Sequence, residues 1–226
     1  MKTSGLNLQG VQRSFDTPEG PRHVLKGIDL EIGSGDRIIL FGPSGCGKTT
    51  LLHLMAFLDQ PSGGQLHFNG EATDQWTEAE RCKVRAREIG MVFQQFHLLP
   101  HHSVLDNLKL RLRYLPHPNP LPDNAEALLE EVGLGGRENQ PARLLSGGEK
   151  QRLCIARAML LQPALFLADE PTGNLDDKNA EKVRDLFMDV SKRGAAMVIA
   201  THDQRWFEFA TRVYAFNQGQ LELISI

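Results

Sequence analysis

The stretch Gly42-Pro43-Ser44-Gly45-Cys46-Gly47-Lys48-Thr49 constrains this chain more than any other. It fills the pattern G-x-x-x-x-G-K-[ST], and it follows a short apolar run, residues 38–41, of the kind that forms a strand buried on both faces. A buried strand that runs into such a loop and then into a helix gives its glycines a physical task. Without Cβ atoms, successive backbone N–H groups can turn inward and converge on phosphate oxygens, while the helix starting near Gly47 adds the positive end of its dipole. Lys48 supplies a point charge for the β and γ phosphates, the Thr49 hydroxyl suits Mg²⁺, and Thr50 can reach the α-phosphate. The loop indicates a nucleotide and nothing narrower.

Length and composition bound what surrounds that loop. A chain of 226 residues can bury a sizeable core as one α/β domain, with room for a small appended subdomain but not for two full domains. With 41% hydrophobic and 23% charged residues it has the balance of a globular protein, and a net charge of −3 offers no basic surplus for nucleic acid or anionic lipid. No apolar stretch reaches the roughly 18 to 20 residues that span a bilayer, so any membrane link is expected to run through another protein. The first ten residues lack the pattern of a secretory signal. Cys46, Cys82 and Cys154 are scattered without a Cys-x-x-Cys pair, which suits reduced cytosolic thiols.

Along the chain, strand-like and helix-like segments alternate, which predicts an α/β layer architecture with a largely parallel central sheet. Residues 6–15 and 23–32 read as two strands around a turn-rich Thr17-Pro18-Glu19-Gly20-Pro21 loop, forming a small antiparallel flank. In the middle third, Thr77 and Glu80 predict a capping box that opens a charged helix to Glu88, followed by a strand over 89–93. Ser103 is placed to cap a helix carrying Val104, Leu105, Leu108 and Leu112; after a proline-rich break over 115–122, Asp123 is placed to cap a helix through Val132. Alternation then resumes with helix 148–161, strand 164–168, helix 178–193 closed by Gly194, and strand 197–200.

Two further sites carry chemistry. Residues 165–168 form an apolar strand that ends in Asp169 and Glu170. Beside a phosphate loop, the first carboxylate can hold the Mg²⁺ shell while the second orients and polarises an attacking water. Between that loop and this strand, Leu145-Ser146-Gly147-Gly148-Glu149 precedes a helix, so Ser146 and the N–H groups of Gly147 and Gly148 make a second anion site. Two phosphate-binding helix starts on one chain suggest a nucleotide sandwiched from two sides.

The segment 145–149 resembles the signature of ABC ATPases, whose usual Leu-Ser-Gly-Gly-Gln reads here with Glu149 in the last place. Whether Glu149 touches the ribose as a Gln would is left open by that change. The resemblance covers nearly the whole chain and implies a P-loop NTPase fold of ABC ATPase type: an α/β protein with a mixed central sheet, an antiparallel β flank and an inserted α-helical subdomain. It implies one domain over 1–226, with a RecA-like core in 1–93 and 163–226 and a helical subdomain over about 94–162. By the same resemblance Gln94 touches Mg²⁺ and the attacking water, and His202 bonds the γ-phosphate. Asp176 lies in a loop at the dimer interface, and Phe15 stacks on adenine. With Glu170 and His202 both present, hydrolysis of ATP is expected and not binding alone.

Residues 169–176 and 92–100 look like the subgroup of lipoprotein-releasing, macrolide-export and cell-division ATPases. That likeness implies a homodimer, or a pair with a similar subunit, at the cytoplasmic face of the inner membrane. By the same likeness it drives an integral permease whose cytoplasmic helix docks in a groove beside the Gln94 loop, with Phe96, Leu98, Leu99 and nearby helical residues as candidate contacts. No nucleic acid partner, direct membrane insertion or appended regulatory domain is expected. Alternative readings are a mechanical regulator of cell-wall remodelling with the same chemistry, or a soluble non-transport ABC ATPase. The short single unit, without heptad coils or a second ATPase unit, argues against the last.

Overall fold

Two apolar layers enclose a central sheet, and the alternation within each strand decides which layer a side chain joins. The computed structural model describes residues 5–115 and 121–224. Its central sheet has the order β10-β9-β3-β8-β7-β6, formed by Gln220–Ile224, Arg212–Asn217, Arg37–Phe41, Ala196–Thr201, Leu165–Asp169 and Ile89–Val92. All neighbours are parallel except β9 and β10, which make the sheet mixed. In β3, Ile38 and Leu40 face one apolar cluster and Ile39 the other; in β7, Leu165 and Leu167 divide in the same way from Phe166 and Ala168. Strands covered on both faces must be apolar at every position, which is why they read as continuous hydrophobic runs.

On one face lies a second sheet, antiparallel, in the order β2-β1-β4-β5, from Gly20–Gly33, Gly5–Thr17, Gly63–Phe68 and Glu71–Ala72. Between the two sheets runs α1, Lys48–Met55, with Leu51, Leu52, Leu54 and Met55 buried. β1 and β2 pair as expected, with Thr17 opposite Gly20 and the turn at Pro18-Glu19. β4 and β5 were not anticipated: β4 begins Gly63-Gly64 and buries only Leu66 and Phe68. Gly64, at φ 79°, lies so close to β1 that a Cβ would stand 2.3 Å from the Gly10 carbonyl oxygen. Only glycine fits that approach.

The opposite face is covered by helices. The Thr77 capping box forms as read, opening α2, Glu78–Glu88, which lies at the β6 edge and packs Val84 against the α1 side; on the opposite face Ser103 caps α3, Val104–Lys109. Instead of continuing as one helix, the chain tightens into a 3-10 turn over Leu110–Tyr114. The cap assigned to Asp123 does not form. The Ala125 N–H bonds to the Pro122 carbonyl at 3.0 Å, so Asp123 and Asn124 are used in a turn and α4 starts only at Ala125, without a side-chain cap. Part of the proline-rich break, residues 116–120, lies outside the described residues. α5, Gly147–Met159, and α6, Asp177–Ser191, complete this layer, and α3 to α6 share one apolar cluster with the sheet face beneath them.

Arg111 binds this layer to the sheet. Its guanidinium donates to the carbonyls of Ala86 (2.9 Å), Ile89 (2.5 Å) and Ala158 (2.5 Å), joining α2, β6 and α5, and burial lowers its pKa to about 10. Replacing it with Met leaves those carbonyls without donors. Arg111→Met is expected to lower unfolding stability by about 2–4 kcal/mol, read as a reduced urea midpoint at unchanged slope.

Candidate functional site

Strand register builds the site. Phe41 pairs with Thr201 and Asp169 with Ala200, so β3, β8 and β7 stop at one level and deliver Gly42, His202 and Glu170 together. β6 pairs Val92 with Ala168, which brings Gln94 to the same end. In open α/β sheets ligands bind beyond the carboxyl ends of the strands, and here those ends open on a cleft of about 430 Å³.

The glycine loop forms one wall. Gly45 and Gly47 have φ of 78° and 118°, and a Cβ on Gly47 would stand 3.0 Å from the Phe216 ring. Ser44, Gly45, Gly47, Lys48, Thr49 and Thr50 line the cleft. Gly42, Pro43 and Cys46 are not among its lining residues. Gly42 and Pro43 accept Lys48 Nζ on their carbonyls at 2.7 and 2.9 Å, and Cys46 packs against the core between the sheets. These two bonds fix the ammonium and leave one of its three donors for a ligand.

Opposite stand the acidic residues. Thr49 Oγ1 donates to Asp169 Oδ2 at 2.7 Å, and Gln94 lines the same cleft. Burial raises the pKa of the Asp169 carboxyl; the Thr49 bond opposes the shift, and the neighbouring Glu170 charge adds to it. A hydroxyl, a desolvated carboxylate and an amide, all oxygen donors, form a set that suits a hard divalent cation. Glu170 has φ of 45°, a conformation that a non-glycine residue adopts only when its surroundings hold it. Its N–H bonds to Ala200 O at 2.9 Å. Its Oε1 lies 3.0 Å from His202 Nδ1 and 3.8 Å from Lys48 Nζ, and its Oε2 accepts from Thr201 Oγ1 at 3.3 Å.

Phe15, 39% exposed, also lines the cleft, with the Arg13 guanidinium 4.5 Å from its ring centre. Thr17, Arg22, Val24 and Gly173 line it too, and sequence reading missed them. Arg22 is the cross-strand partner of Phe15, so the turn at Pro18-Glu19 carried the signal that brings it there.

Ser146, Gly147, Gly148 and Asp176 do not line this cleft. Ser146 and Gly147 are exposed at the start of α5; Asp176 is exposed as the N-cap of α6, accepting the Asn179 N–H at 2.9 Å. Gly148 backs onto Asn179, where a Cβ would stand 2.6 Å from the amide oxygen. The two helix starts are thus fixed beside each other but away from Lys48. Glu149 forms a capping box with Ser146 and pairs with Arg137.

A second cleft, of about 400 Å³ and largely apolar, opens between α2, the segment after β6 and the 3-10 turn. Met91, Phe93, His97, Tyr114 and Arg157 line it; Phe96 and Leu98 pack inward against the helical core. Below it Arg157 donates to the carbonyls of His97 (2.9 Å) and Phe96 (3.0 Å), and Cys154 Sγ to Phe96 O (3.1 Å).

The raised pKa of Asp169 has a consequence for stability. Folding favours its protonated form, so this contribution is present at low pH and lost as pH rises from the ordinary carboxylate value through the raised one. In nucleotide-free, magnesium-free buffer, Asp169→Asn is expected to raise the thermal midpoint at about pH 7.5 and to have a smaller effect near pH 4. Equal shifts at both values would refute this account.

Comparison with known proteins agrees with the geometry. The ABC transporter family model matches residues 25–173. The Legionella pneumophila (strain Lens) protein named lipoprotein-releasing system ATP-binding protein LolD is 43% identical over 220 residues, 96% of each chain. The Bdellovibrio bacteriovorus macrolide export ATP-binding/permease protein MacB is 37% identical over 96% of this chain, which corresponds to 33% of that longer protein. Among solved structures, the dimeric MJ0796, a bacterial ABC transporter cassette, superposes with a TM-score of 0.88 at 33% identity, covering 96% of both chains. The same cassette in a post-hydrolysis state with ADP and Pi gives 0.87 at 32% identity and the same coverage. With its phosphate loop, paired carboxylates and signature helix in this arrangement, the chain belongs to the ABC transporter family as an ATP-binding, ATP-hydrolysing subunit.

Proposed function

We propose that two copies of this chain close head to tail on two ATP molecules and thereby drive an integral permease at the cytoplasmic face of the inner membrane. The observation that carries this reading is the separation of the two anion-ready helix starts. The α1 loop lines the cleft, whereas Ser146 opens α5 on another exposed surface, so a second copy is needed to cap a nucleotide held at Lys48. Asp176, exposed at the start of α6, lies on the same surface as Ser146 and belongs to the interface in this reading.

Within the cleft each residue has a task. The loop N–H groups and Lys48 hold the β and γ phosphates, Phe15 offers a ring to the adenine, and Arg22 a cation to the nucleotide. Thr49, Asp169 and Gln94 would hold Mg²⁺, which supplies neutralisation of charge on the phosphate oxygens when bound. Glu170 orients a water and accepts its proton as that water bonds to the γ-phosphorus and the bond to the bridging oxygen of ADP breaks. His202 and Thr201 keep the carboxylate aimed, and His202 is placed to bond the γ-phosphate. The strained backbone of Glu170 serves this aim, since it projects the carboxylate from the very end of β7.

The apolar cleft beside Gln94 suits the cytoplasmic helix of a permease. In this reading Phe93, His97 and Tyr114 of the cleft, the last 63% exposed, join the residues beside Gln94 as docking contacts, while Phe96 and Leu98 support them from the core. Residues 94–162 in this reading work as the helical subdomain that receives the membrane subunit. Among the described residues no helix is long and apolar enough to cross a membrane. The names of the relatives favour lipoprotein release or macrolide export as the type of task.

Glu170→Gln is expected to slow ATP turnover by roughly two to four orders of magnitude, spare ATP binding, and accumulate a dimer in ATP but not in ADP. Size-exclusion chromatography with light scattering reads the dimer; a monomer in saturating ATP, even beside the permease, would exclude the sandwich. Tyr114→Glu is expected to leave turnover of the isolated subunit within about twofold and to abolish its co-sedimentation with permease-containing membranes. Undiminished co-sedimentation would place the docking surface elsewhere.

A further inference from the structure

The start of α5 carries a charge that opposes its proposed task. Glu149 sits in the first helical turn after Ser146, where a partner's triphosphate would arrive, and a fixed carboxylate there repels an anion. It is held on the spot by reciprocal bonds: its Oε2 accepts the Ser146 N–H at 2.8 Å, and its own N–H donates to Ser146 Oγ at 3.3 Å. Hydrogen bonds from the Ser146 backbone and the Arg137 side chain keep its carboxyl below the usual carboxylate range, so it is ionised at neutral pH.

The remaining carboxylate oxygen accepts from Arg137 Nη1. Arg137 is itself fixed, with its Nε donating to Gln140 Oε1 at 2.5 Å and its backbone carbonyl accepting the Gln140 N–H at 2.9 Å. The two side chains are 30% and 24% exposed, so solvent screens the pair only in part. Ser146 Oγ accepts within the capping box and its hydroxyl also bonds the Glu149 carboxylate, so the whole helix start is organised around that one side chain.

We propose that Arg137 is a positioning residue for the ATP-bound dimer: it neutralises Glu149 and pins its carboxylate on the Ser146 N–H, so that the start of α5 still attracts the partner copy's triphosphate. This deepens the head-to-tail reading and rests on it. Arg137 thereby replaces, with a charge pair, the neutral amide that the family's usual Gln provides at this point of the signature. Each dimer contains two such helix starts, so loss of the cation enters twice.

The test uses the Glu170→Gln protein and the ATP concentration that gives half-maximal dimer. Adding Arg137→Met is expected to raise that concentration about tenfold, and Arg137→Lys to raise it less. Adding Glu149→Gln to Arg137→Met is expected to restore it to within about threefold of Glu149→Gln alone, because no charge then needs neutralising. ADP affinity, which reads the Lys48 loop without the sandwich, is expected to stay within about twofold in every variant. If Arg137→Met does not weaken dimerisation, or Glu149→Gln fails to rescue it, the role of Arg137 is overturned while the sandwich stands. A loss of ADP affinity in Arg137→Met that Glu149→Gln does not repair assigns Arg137 to the fold and likewise overturns it. If the parent itself stays monomeric in ATP, the sandwich fails and this proposal with it.

Discussion

The parallel register of β3, β8 and β7 is the constraint on which the rest of the molecule depends. Backbone hydrogen bonds hold Phe41 level with Thr201 and Asp169 level with Ala200. Slipping any one of these strands by a single residue would exchange its two faces, sending Ile39 or Phe166 into the wrong apolar cluster. The two clusters therefore enforce the register, and the register places Lys48, Glu170 and His202 within reach of one another. Site geometry is in this sense a product of core packing: the apolar side chains of the strands decide where the polar residues at their ends stand.

Around that frame, the site is assembled from backbone conformations that few residues tolerate. Gly45 and Gly47 take positive φ without cost, but Glu170 adopts φ of 45° with a full side chain. Its N–H bond to Ala200, with the contacts of its carboxylate to Thr201, His202 and Lys48, is what holds it there. The residue is consequently held from two sides, by the end of β8 with the adjoining His202 and by Lys48 at the start of α1, and its placement does not depend on the mobility of one loop.

How much of this could be read beforehand depended on whether the cause was local. The phosphate loop, the capping box at Thr77, the Ser103 cap and the doubly buried strands follow from neighbouring residues, and they were legible; the capping box at Ser146 is equally local but was not read. β4 and β5 were missed although Asn69-Gly70, both at positive φ, marks a tight hairpin turn, because two apolar side chains in a glycine-led strand make a weak pattern. The Asp123 cap failed because Pro122 nucleates a turn first, a competition that capping preferences alone do not rank. Arg22 followed from the turn at Pro18-Glu19 and was simply not read, whereas the lining of the second cleft and the Arg137–Glu149 pair required knowing which separate segments meet. Those are tertiary facts, and no periodicity announces them.

The helix α5 touches two very different places. Its first residue follows Ser146, and near its far end Cys154 and Arg157 clasp the carbonyls of Phe96 and His97, immediately after Gln94. Thirteen residues of regular helix form a stiff rod of roughly 20 Å. In the head-to-tail reading proposed above, a push at the apolar cleft would be transmitted along that rod to Ser146 and so to the nucleotide of the opposite copy. On that reading each subunit would send the mechanical message of its own membrane contact to its twin's fuel, and the two halves of the engine would answer to each other and not only to themselves.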